Sequence, residues 1–115
     1  MEGPARELCR RQLLARDRGG DLGRARRAAR QAAALARTPG ESYRATLLLA
    51  CLDCDAGDHQ AELKQAREMM ALQPHCQASL GALRHAAWCN GLEPLARQAT
   101  VALRALEDSS GLVSR

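Results

Sequence analysis

The chain has 115 residues, 46% of them apolar, with no Phe, one Tyr, one Trp and a formal net charge of +4. A chain of that size forms one domain with one core and has room for a single site or groove. No apolar run approaches the ~18 residues of a bilayer crossing, and Met1-Glu2-Gly3-Pro4-Ala5-Arg6-Glu7 lacks the apolar core of a secretory signal, so a cytoplasmic protein that does not enter membranes is expected.

Ala and Leu supply most of the apolar share, Val occurs twice and Ile never. Strand formers are therefore scarce, while Ala, Leu, Arg, Gln and Glu favour helix nearly throughout, and the predicted fold class is all-α. Charge is uneven: residues 1–37 carry ten Arg against four acidic residues, and residues 38–115 carry seven Lys or Arg against nine. Such a basic third is compatible with nucleic acid or an acidic surface through Arg24, Arg26, Arg27, Arg30 and Arg37. These arginines run round their helix instead of forming one stripe, and no aromatic stacking platform accompanies them, so a solvated face is preferred. The five cysteines, Cys9, Cys51, Cys54, Cys76 and Cys89, are an odd number set in helical stretches, which suits reduced thiols better than a disulfide framework.

In chain order, a first helix is expected at about 4–17. A second, at about 22–37, follows Gly20-Asp21 and carries Ala25, Ala29 and Ala32 as a small-residue stripe that admits close neighbours. The third, at about 41–55, opens on Glu41-Ser42, where an acid suits the helix dipole, and stops at Gly57. The fourth, at about 59–73, ends before Pro74, and the fifth, at about 76–89, stops at Gly91. The sixth, at about 93–107, opens on Glu93-Pro94 and presents Leu95, Ala96, Ala99, Leu103 and Leu106 on one face. Residues 108–115 are expected to be a flexible tail on a single domain over 1–110.

The breakers recur. Gly20 and Gly57 lie 37 residues apart, Gly57 and Gly91 lie 34 apart, and Pro39 and Pro74 lie 35 apart. The six helices thus group into hairpins over about 4–37, 41–73 and 76–107. One hairpin alone exposes an apolar face that it cannot bury, so three are expected to stack.

The middle unit has Thr46, Leu49 and Ala50 on the inward side of its first helix, Gly57-Asp58-His59 at the turn, Ala66 and Met69 on the second helix, and Pro74 at its close. The third has Leu80, Leu83, Ala87, Gly91, Ala96, Leu103 and Leu106 in matching places. In these positions the chain resembles the tetratricopeptide-like family of helix-turn-helix repeats. Glu62 stands where that family favours a small residue and Asp53 where it favours an aromatic, and the first unit fits after a shift of two or three residues. The resemblance implies three tandem repeats in a right-handed α-solenoid whose first helices line a concave groove. Carried over one position at a time, the groove residues are Leu47, Cys51 and Cys54 from the middle unit and Gly81, His85, Trp88 and Cys89 from the third.

An apolar groove with a flat indole suits an amphipathic helix of a protein partner, held by a few anchors among which Trp88 dominates; a core role for Trp88 is the competing reading. Size and layout further resemble the needle-subunit chaperones of bacterial type III secretion. That resemblance implies a needle subunit as client, kept from premature polymerisation, and a small helical co-chaperone as a second partner.

A metal- or redox-linked sensor is the other alternative. Cys51 and Cys54, spaced C-x-x-C, together with His85 and Cys89 on the adjacent first helix, would form a legitimate zinc set. A C-x-x-C in mid-helix lacks the tight turn of a zinc knuckle and has no second copy, and cysteine serves as a small apolar filler in Ala-rich helices, so no metal or cofactor is assigned. No phosphate loop, H-E-x-x-H or nucleophile elbow is present, and no catalytic residue is assigned.

Overall fold

A computed structural model describes residues 21–113, which form five α-helices and no strand: α1 (Leu22–Leu35), α2 (Pro39–Asp55), α3 (His59–Leu72), α4 (Gln77–Cys89) and α5 (Glu93–Val113). The helix expected at 4–17, with Cys9, lies outside the described residues. None of the helices among the described residues is long and apolar enough to cross a membrane.

Local chemistry sets each boundary. The Asp21 carboxylate accepts the Gly23 amide at 2.9 Å and caps α1. Thr38 caps α2 by accepting the Glu41 amide at 3.1 Å, and Pro39 occupies the first turn, where its missing N–H costs nothing. The helix therefore begins two residues before the expected Glu41 start. At the other end of α2, Gly57 turns to φ +74°, its N–H reaches Cys54 O at 3.0 Å, and the Asp58 N–H reaches Asp53 O at 2.9 Å. The end of α4 repeats this: Gly91 has φ +73°, its N–H meets Trp88 O at 3.1 Å, and the Leu92 N–H meets Ala87 O at 2.8 Å. Both are Schellman caps, which a side chain with a Cβ would strain at the glycine.

The final helix runs on through 108–113, which the sequence reading assigns to a tail. No Pro or Gly separates Leu106 from Gly111, so nothing local stops it.

Each helix packs on its successor, and beyond these sequential pairs the backbone of α2 also comes close to that of α4. One apolar cluster joins Ala25, Ala29 and Ala32 of α1 to Ala45, Leu48, Leu49 and Leu52 of α2. A second joins Ala66 of α3, Leu83 and Ala86 of α4 and Ala99 of α5. Alanines allow close helix approach but bury little area each, so the leucines, at about 1.5–3 kcal/mol apiece, supply most of the hydrophobic stabilisation. The α2–α4 contact carries a polar tie: the Tyr43 hydroxyl and Ser79 Oγ lie 2.7 Å apart, and Ser79, fully buried, also donates to Met69 O at 3.3 Å.

Candidate functional site

Six of the seven residues expected in the groove fall in two hollows or in the polar cluster between them, and Gly81 falls in none of these. Leu47, Cys51 and Cys54 of α2, with Ala50, Asp55, Glu62 and Ala82, line a hollow of about 210 Å³. His85 and Trp88 of α4 line a larger one of about 500 Å³, whose other wall is Ala96, Arg97, Thr100, Val101 and Arg104 of α5. Gly81 and Cys89 line neither. The larger hollow thus lies between the two helices of the last hairpin, where a lining by first helices alone was expected. Trp88 is not a core residue: it is 67% exposed, as is Val101 across from it. The i, i+4 spacing of Ala96, Thr100 and Arg104, with Arg97 and Val101 alongside, was the available signal for the α5 wall.

Between the hollows lies a cluster that sequence reasoning found only in part. Glu62, on α3, has a side chain only 4% exposed, yet its carboxylate sits among polar partners from three helices. Its Oε1 accepts from His59 Nδ1 at 2.8 Å and its Oε2 from His85 Nδ1 at 2.7 Å. Cys54 Sγ lies 3.8 Å from His85 Nδ1, and Cys89 Sγ lies 3.9 Å from the same atom and 3.7 Å from Nε2. The two imidazoles meet edge to face with centroids 6.1 Å apart. Burial, and then the charge of Glu62 and a hydrogen bond to it, push the Cys54 thiol up. Asn90, at the end of α4, anchors the region by donating to His59 O and Ala86 O, both at 2.7 Å.

A second buried acid lies at the α1–α2 contact. Asp53, 1% exposed, accepts from Arg26 Nε at 2.8 Å, and Arg26 Nη2 reaches Asp58 at 2.9 Å. Burial opposes the charge on Arg26, but the hydrogen bonds and charges of Asp53 and Asp58 outweigh it, so its pKa is raised. One member of the basic set, Arg26, is therefore turned inward to neutralise the fold's own acids. Asp53 Oδ2 is buried with no hydrogen-bond partner, so half of the carboxylate is uncompensated.

The two positions that depart from the tetratricopeptide-like pattern, Asp53 and Glu62, are thus the two buried acids among the described residues, both at helix contacts. Charged residues at apolar positions were the visible signal; their partners, Arg26 and the two histidines, depend on helix register. No family model, curated protein or solved structure matches this chain.

Proposed function

We propose that this protein is a binding module, without catalysis of its own, that holds an amphipathic helix of a protein partner against the α4–α5 face. The observation that carries this reading is the 500 Å³ hollow with Trp88 and Val101 each 67% exposed at its edge. Leaving an indole in water forgoes burial that other large aromatics obtain in a core, and an open apolar recess beside it supplies the pocket-and-anchor arrangement of an interface. Arg84 and Arg104 flank the apolar floor, with Arg97 paired to Glu93 beside them, so the fitting partner has acidic residues flanking its apolar stripe. Cys51, Cys54, Cys76 and Cys89 form no disulfide among the described residues, which suits a reducing cytoplasm.

The narrower reading implied by the resemblance is a chaperone of a type III secretion needle subunit. In it, the client's C-terminal amphipathic helix occupies this recess and cannot polymerise.

Trp88 is the sole tryptophan, so it reports its own burial. Titration with an acidic amphipathic helical peptide is expected to shift its emission to the blue. Val101→Asp, at an exposed position, is expected to weaken that binding at least tenfold while leaving helicity intact. An emission spectrum that stays put with every such peptide, and with a needle subunit, would rule the reading out.

A further inference from the structure

We propose that Cys54, Glu62, His85 and Cys89 form a binding site for a zinc-class divalent cation, with His59 orienting Glu62 from outside the ligand set. The proposal does not rest on the docking reading above, although His85 is both a ligand here and part of the wall of the larger hollow, because cation binding is read without any peptide.

Three helices supply the four ligands: Cys54 from α2, Glu62 from α3, and His85 and Cys89 one turn apart on α4. The candidate ligand atoms of Cys54, Glu62 and His85 all lie within 4.8 Å of one another, as do those of His59, Glu62 and Cys89. Zn–S bonds of ~2.3 Å and Zn–N bonds of ~2.05 Å at a tetrahedral angle place sulfur and nitrogen about 3.6 Å apart. Cys54 Sγ lies 3.8 Å from His85 Nδ1, so a cation fits among Cys54, Glu62 and His85 with shifts of a few tenths of an ångström. Cys89 Sγ, 3.9 Å from Nδ1 and 3.7 Å from Nε2 beside the ring, completes the set by a rotation of its exposed side chain. The carboxylate is closer, with Glu62 Oε2 at 2.7 Å from Nδ1, because a hydrogen bond now joins them; a cation replaces that proton and opens the pair by about 0.6 Å, to the separation that two ~2.05 Å bonds set.

The donor set also has the expected outer support. Glu62 Oε1 remains held by His59 Nδ1, the arrangement in which a hydrogen bond fixes a metal-bound carboxylate. Two thiolates, one imidazole and one carboxylate are borderline-soft ligands that select zinc over magnesium or calcium. A divalent cation also supplies the positive charge that the buried carboxylate otherwise draws from hydrogen bonds alone. Binding expels the proton of each thiol, while the imidazole proton moves from Nδ1 to Nε2, so two protons leave as one cation enters.

Cobalt(II) tests the site on the reduced, chelator-treated full chain. One equivalent is expected to produce the visible d–d bands of tetrahedral cobalt with thiolate charge transfer, and zinc is expected to bleach them. Cys89 and His85 are exposed, so C89S and H85Q proteins should keep their helix signal while losing affinity roughly tenfold or more. H59Q is expected to weaken binding roughly tenfold with the spectrum unchanged in shape, as an orienting residue would. C51S and C76S are expected to bind as the parent does. Absence of stoichiometric tetrahedral bands, or bands that persist in C89S and vanish in C51S, would overturn the assignment.

Discussion

Asp53 and Glu62 are both acids buried at helix contacts, and the fold compensates them in opposite ways. Asp53 meets the Arg26 guanidinium, a cation at every physiological pH, and Arg26 is shared with Asp58 at the start of α3. Glu62 meets two imidazoles and a thiol, groups that can each lose a proton and become a ligand. The first arrangement can only hold helices together. The second has chemistry left over, and it lies beside the hollows where the first is enclosed at the α1–α2 contact. The partner of a buried charge, more than the charge itself, separates a structural site from a functional one.

Breaking the first pair should have the largest effect. Arg26→Ala leaves Asp53 buried without its cation and is expected to cost about 3 kcal/mol, read as a lower midpoint in urea unfolding followed by circular dichroism. Replacing both partners by Leu removes the charge with its counter-charge and is expected to bring stability back to within about 1 kcal/mol of the parent. If the double variant is no more stable than the single one, the Asp53 pairing is not what stabilises this contact.

The Glu62 cluster should be more forgiving. In chelator-treated protein, Glu62→Gln keeps a carbonyl acceptor for one imidazole and is expected to cost about 1–2 kcal/mol in the same unfolding experiment. A loss equal to that of Arg26→Ala would erase the distinction between the two sites.

A smaller contrast lies in acid. The capped Ala61 amide, and after it the Arg26 guanidinium, hold the Asp58 carboxyl below the usual carboxylate range. Because the folded value is the lower one, this contribution is complete above the unfolded pKa of ~3.9 and disappears as pH falls through the folded value. Urea midpoints measured downward from pH ~5 should therefore decline less steeply in Asp58→Asn, which still caps α3, than in the parent.

Much of the fold is legible in the residues, because helix punctuation is local. Gly57 and Gly91 mark left-handed caps, Asp58 an N-cap, and Pro74 the limit of α3. The start of α2 was also readable in Thr38-Pro39-Gly40-Glu41, a hydroxyl cap with Pro next and an acid three residues on, although the acid alone drew attention. The site was legible only in part. Cys54, His85 and Cys89 stand out by type and spacing. Glu62 reads as a misfit and His59 as a turn residue until the register of α3 against α4 brings both to His85. Likewise Arg26 belongs to a basic run until its partner 27 positions away is known.

The succession of helix contacts along the chain governs how order is gained and lost. Contacts between consecutive helices require only short loops to close, so assembly meets a small entropic barrier and can begin at either apolar cluster. Equally, loss of α1 leaves the α3–α5 cluster intact, so fraying there need not spread along the described helices.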